Sequence, residues 1–63
     1  MTKTTTETVT IEQIESLRTE AASAGDVTMA DMAAAAVWDV EQGDRETGNV
    51  RACVVAINEA AAQ

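Results

Sequence analysis

The apolar residues of this chain recur at the spacing of α-helices in three successive segments. Within each segment they fall three or four residues apart, as one face of a helix requires. The three faces consist of Ile11, Ile14, Leu17, Ala21 and Ala24; Met29, Met32, Ala33, Ala36, Val37 and Val40; and Val50, Cys53, Val54, Ile57 and Ala61. The pattern predicts helices over about 11–24, 29–42 and 45–62.

A six-residue phrase, V-T-[IM]-x-[QD]-[IM], occupies residues 9–14 and recurs 18 residues later at 27–32. Each copy predicts a helix start, with Thr10 and Thr28 as the N-caps. The residues expected to complete a capping box and a hydrophobic staple are Gln13, Val9 and Ile14 in the first copy, and Asp31, Val27 and Met32 in the second. Since 18 residues make about five helical turns, the copies share a rotational phase, and the middle helix should contact both neighbours.

Glycines predict where the first two helices end. Gly25 and Gly43 each follow the last residue of an apolar face and can adopt the left-handed conformation of a C′ residue. The start of the third helix has two interpretations. Either Asp44 caps it, which leaves Gly48 in the first turns at a cost of about 1 kcal/mol relative to Ala, or Asn49 caps a shorter helix.

Chain organisation follows from these elements. Residues 1–8 are rich in threonine and contain little apolar material, so we expect a disordered tail there. Residues 9–63 are expected to form a single domain. Short links make sequential helices pack as neighbours, which predicts an all-α, up-down-up three-helix bundle.

Composition limits the stability and chemistry of this domain. A chain of 63 residues buries a modest core, and most of its apolar residues are alanines. With one cysteine and no histidine, neither an internal disulfide nor a histidine-based metal site is available, so self-association as a dimer is the expected support. We predict no cofactor, no metal and no catalytic residue. Cys53 has no helix neighbour that would stabilise a thiolate, and it is interpreted as a small buried hydrophobe.

Charge narrows the choice of partners. Eleven acidic residues against four basic ones give a net charge of −7. Such a chain is repelled by nucleic acids and anionic membranes and suits a basic protein surface. The middle helix contains no Lys or Arg, which argues against a DNA-reading helix-turn-helix. With no signal-peptide pattern and an apolar run of only six residues at 33–38, we expect a cytoplasmic protein without membrane contact.

The spacing of caps, alanines and helix stops resembles a known group of proteins. The residues that carry the resemblance are Leu17-Arg18-x-Glu20-Ala21-Ala22-x-Ala24-Gly25-Asp26, Gly43-Asp44, Arg51-x-Cys53 and Ile57. They resemble small uncharacterised acidic helical proteins of bacterial phages and plasmids. Trp38 and the segment 47–49 depart from that pattern. The resemblance implies an accessory protein of a mobile element, active in the host cytoplasm, and it transfers no catalytic residue.

Trp38 is the most distinctive candidate for partner binding. It projects from the middle helix beside Ala34 and Ala35, opposite the predicted core face. It is either a core anchor under a neighbouring helix or a contact surface for a second copy or a host protein. The acidic residues Glu12, Glu15, Glu20, Asp31 and Asp39 are either solvated or form a row that imitates nucleic acid. The expected function is a non-catalytic interaction module, an accessory protein or inhibitor that covers a surface of a host protein; the alternative is a self-assembling homo-oligomer.

Overall fold

The computed structural model describes residues 3–63 and confirms the predicted all-α three-helix bundle. The helices are α1 (Ile11–Ser23), α2 (Val27–Glu41) and α3 (Gly48–Ala61). Helix α2 packs extensively against both α1 and α3, whereas α1 and α3 contact each other sparsely. The middle helix therefore holds the bundle together, as expected from its position between two short links.

Helix α1 begins as its sequence predicts. The Thr10 hydroxyl oxygen accepts a hydrogen bond from the Gln13 N–H (3.1 Å), and the Gln13 amide oxygen accepts one from the Thr10 N–H (2.8 Å). Together these bonds form the predicted capping box. Val9 and Ile14, the two residues of the expected staple, both belong to the buried core. The start of α1 is thus fixed both by hydrogen bonds and by apolar packing.

Helix α2 begins two residues before the position that the repeated phrase predicted for its first residue, Met29. Its N-cap is Asp26, whose carboxylate accepts a hydrogen bond from the Met29 N–H (3.1 Å). The prediction of Thr28 as the cap is wrong, and so is the staple of Val27 with Met32, because Val27 is the exposed first residue of the helix. The two copies of the phrase therefore have different structural roles.

The end of α1 explains the early start of α2. The Gly25 and Asp26 N–H groups donate to the carbonyl oxygens of Ala22 (3.2 Å) and Ala21 (2.8 Å), with Gly25 at φ +80°. This is a Schellman motif, and it leaves Asp26 next to the point where α2 can begin. Aspartate is also a better N-cap than threonine. Asp26 therefore both completes the end of α1 and caps α2. Every residue of the link between the two helices thus belongs to the end of one helix or the start of the next.

Helix α3 begins at neither of the two predicted positions. Its N-cap is Thr47, whose hydroxyl accepts from the Val50 N–H (3.2 Å), so the caps predicted at Asp44 and Asn49 are both wrong. The Asp44 carboxylate instead accepts from the Glu46 N–H (3.3 Å) within the link. With Thr47 as the cap, Gly48 occupies the first helical position, where it interrupts no interior turn.

The core lies where the three apolar faces meet. Its buried residues are Val9, Ile14, Ala33, Ala36, Val40, Val50, Cys53 and Val54. Ile11, Leu17, Val37 and Ile57 pack around this cluster and stay partly exposed. Alanines on α2 allow α1 and α3 to approach the middle helix closely, at the cost of a small apolar area per contact.

Residues 4–9 lie against the bundle through polar contacts. Asn58 on α3 binds both backbone groups of Thr4: its amide oxygen accepts from the Thr4 N–H (3.0 Å) and its amide nitrogen donates to the Thr4 carbonyl (2.8 Å). Arg45 donates to the carbonyl oxygens of Thr6 (3.2 Å) and Val9 (2.7 Å). A disordered tail over residues 1–8 stays a prediction. Its first two residues lie outside the described part, and Thr4 and Thr6 are held by the hydrogen bonds above.

Candidate functional site

The outer face of α2 carries the most exposed large apolar residues of the described chain. Trp38 is 62% exposed and Val27 is 68% exposed. Val27, Asp31, Ala34 and Trp38 follow one another at intervals of four, three and four residues, so they lie on one face of the helix. Together with the half-buried Ala35, we call these residues the α2 stripe. Val27 and Trp38 are about 16 Å apart along the axis.

Helical geometry explains why this face is open. Ala36 and Val40 are buried, and each lies two residues from Trp38, which is a rotation of about 200°. Both neighbouring helices pack against the buried side, and the opposite side faces solvent. The prediction of Trp38 as a core anchor is therefore wrong. The structure leaves its indole accessible beside two small alanines, as the contact-surface hypothesis requires.

The two acidic candidates on α2 differ in environment. Asp31 is exposed within the α2 stripe. Asp39 is half-buried, and one carboxylate oxygen accepts hydrogen bonds from the Thr47 hydroxyl (2.8 Å) and the Asn49 amide (3.4 Å). Since Thr47 is the N-cap of α3, the Asp39 carboxylate orients the start of that helix. The structure thus gives Asp39 a role within the fold, whereas Asp31 stays accessible.

The three acidic candidates on α1 border two adjoining depressions. Glu12 and Glu20 flank a groove between α1 and α3, with Leu17 and Ile57 at its base. Glu15 and Glu20 border a shallower depression on α1 itself. The five acidic candidates are therefore distributed over the α1 surface, the α2 stripe and the last turn of α2, and the structure does not bring them together in one row.

Cys53 lies in the core, as predicted. Its side chain is fully buried in α3, and burial raises the pKa of its thiol above the ordinary value of 9.0. Desolvation disfavours the thiolate, which is the reactive form. The residue contributes to packing beside Val50 and Val54.

Two features that often mark a ligand or metal site are absent from the described residues. Within residues 3–63, no three His, Cys, Asp or Glu side chains are grouped to hold a metal ion. In the same range, every buried side-chain nitrogen or oxygen has a hydrogen-bond partner. No helix in this part of the chain has the length and apolar character needed to cross a membrane.

Two residues important to the surface and the fold were missed from the sequence. Val27 was assigned to a staple, although it shares the spacing that placed Ala34 and Trp38 on one face; that spacing was the available signal. Arg45 received no role, and its bonds to the carbonyl oxygens of Thr6 and Val9 have no local sequence signal because they span 36 to 39 residues.

Comparisons with protein-family models, curated proteins and solved structures found no match for this chain.

Proposed function

We propose that this protein is a non-catalytic interaction module that binds a host protein through the α2 stripe. The exposure of Trp38 is the observation that carries the proposal. An indole surrounded by small residues is the type of side chain that fills a pocket on a partner, and tryptophan is enriched among the residues that dominate binding energy. Burying it on the protein's own core would require α2 to rotate by about half a turn.

The chemistry of the stripe favours a partner with an apolar pocket and a basic rim. Val27, Ala34 and Trp38 supply apolar area, while Asp31 supplies a carboxylate between them. The net charge of −7 favours encounter with a basic surface and disfavours nucleic acid. The resemblance to phage and plasmid proteins suggests an accessory role, such as inhibition, in a bacterial cytoplasm. The stripe supports this proposal, and imitation of nucleic acid by a row of carboxylates is not needed for it.

Affinity capture from a bacterial lysate tests the proposal. We expect a tagged chain to retain a basic protein that moderate salt releases, because charge contributes to the encounter. The same protein should be absent when Trp38→Ala is used as bait. The matched control is Val55→Ala, which removes an apolar side chain that is 55% exposed on α3, away from the stripe. Equal capture by the wild type and Trp38→Ala would contradict the proposal.

The same stripe supports a second candidate, a homo-oligomer in which two α2 helices pack against each other. An exposed apolar face is the observation that favours it, since small domains often gain stability from a partner chain. Trp38 fluorescence and light scattering distinguish the two candidates. Self-association requires the emission to move to shorter wavelength as concentration rises, together with a doubled mass. A red, quenchable emission and a monomer mass at high concentration would exclude it.

A further inference from the structure

The second open surface is the groove between α1 and α3, which we call the α1–α3 groove. It forms because these two helices contact each other sparsely while both pack against α2. Leu17 and Ile57 form its base, Ala60 lines its α3 side, and Glu12 and Glu20 flank it on α1. Leu17 and Ile57 also pack against the core, so the base is held in place by the fold.

We propose that the α1–α3 groove binds an amphipathic helix that carries Lys or Arg beside its apolar face. The apolar base suits side chains spaced at i, i+3 or i+4, and i+7, which is how a helix occupies such a groove. Glu12 and Glu20 are eight residues apart, or about 12 Å along α1, which matches two turns of a partner helix. A partner helix with a basic residue at each end of that span would place one beside Glu12 and the other beside Glu20.

Charge and polarity select this occupant over two others. A second copy of the chain would bring a further net charge of −7 to an acidic groove. A small ligand would fit the volume of about 340 Å³. However, no described residue leaves a buried polar atom unpaired to orient such a ligand. A basic amphipathic helix matches both the apolar base and the acidic α1 edge of the groove.

The probe for this proposal is a synthetic peptide of about 12 residues, with leucines at helical spacing and arginines beside them. Nitrogen–proton correlation spectra of the full chain should show shifts at Leu17, Ile57 and Ala60 on titration, with the Trp38 indole signal unchanged. A peptide with glutamates in place of the arginines should not bind. Absence of binding by the basic peptide up to millimolar concentration would overturn the proposal.

Matched charge variants locate the binding site. Glu12→Gln/Glu20→Gln should weaken peptide binding about tenfold at low salt, since each lost ion pair at a partly exposed edge has a modest effect. Glu7→Gln/Glu41→Gln changes the net charge equally at exposed residues outside both the groove and the α2 stripe, and should leave binding within about twofold. An equal loss in both variants would show a non-specific charge effect and overturn the assignment.

Ala60→Arg provides a steric test. Ala60 is exposed near the end of α3, where a cation is favourable, so the variant should fold and circular dichroism should be unchanged. It should abolish peptide binding by placing a basic side chain in the groove. If the wild type is a dimer that Ala60→Arg converts to a monomer, a second copy occupies the groove and the proposal is wrong. Neither result depends on Trp38, so the experiments can contradict this proposal without contradicting partner binding through the α2 stripe, and the reverse.

Discussion

The two copies of the repeated phrase differ most at their first residue. Val9 is 1% exposed and belongs to the core, whereas Val27 is 68% exposed and belongs to the α2 stripe. The residues preceding them account for the difference. Thr8 precedes the first copy and leaves Thr10 as the cap of α1, while Gly25-Asp26 precedes the second copy and caps α2 before the phrase is reached. Asp26 therefore has the capping role in the second copy that Thr10 has in the first.

The largest expected difference in stability between the copies lies at the fourth residue after each threonine. Ile14 is fully buried, and Ile14→Ala should lower the free energy of unfolding by about 3 kcal/mol. Met32→Ala, at a half-buried position, should cost about 1 kcal/mol. Urea unfolding measures both.

If Ile14→Ala is too unstable to fold, Ile14→Val should still cost about 1 kcal/mol. Equal losses at Ile14 and Met32 would indicate that the second copy is packed like the first, against the structure.

The two valines provide the next largest contrast. Val9→Ala should cost about 2 kcal/mol because it opens a cavity in the core. For a domain of this size, that loss corresponds to roughly 12 °C in melting temperature. Val27→Ala should change stability by less than about 0.5 kcal/mol, since the side chain is exposed and alanine has the higher helix propensity. Thermal melts of the two variants at one protein concentration test this, and a large loss for Val27→Ala would show that the stripe is covered, as in a homodimer.

The caps are expected to differ by a smaller amount. Thr10→Ala and Asp26→Ala should each cost about 1 kcal/mol, because each removes the acceptor for an N-terminal N–H of a helix. Thr28→Ala should be close to neutral, within about 0.3 kcal/mol, as its hydroxyl caps nothing. Urea unfolding of the three variants gives the comparison. If Thr28→Ala lowered the free energy of unfolding as much as Thr10→Ala does, Thr28 would be the cap that the sequence predicted.

The third residue after each threonine shows the smallest difference. The Gln13 amide oxygen accepts from the Thr10 N–H, so Gln13→Ala should cost about 0.5 kcal/mol. Asp31 lies on the exposed face of α2, away from its ends. Asp31→Ala should slightly stabilise the helix, by about 0.3 kcal/mol, because alanine has the higher helix propensity. Difference measurements in urea resolve these effects when both variants are unfolded in parallel with the wild type. A cost for Asp31→Ala would indicate a polar partner that the bundle alone does not provide.

The candidate site was partly predictable for the same reason as the helices. Helical periodicity placed Trp38, Ala34 and Ala35 opposite the core face, and the structure agrees. Periodicity alone left open whether a neighbouring helix covers that face, because coverage depends on how α1 and α3 are arranged around α2. It also grouped Asp39 with the accessible acids, since nothing local indicates that Thr47 and Asn49 donate to its carboxylate.

The sequence by itself determined the number of helices, the apolar face of each, the capping box of α1 and the burial of Cys53. These features depend on residues within a few positions of one another, where side-chain chemistry and the helical repeat suffice. Tertiary structure alone decided that α1 and α3 share one side of α2, that Trp38 remains exposed, and that Arg45 binds backbone carbonyls near the start of α1. Such contacts join residues distant in sequence, so their geometry exists only once the helices have packed.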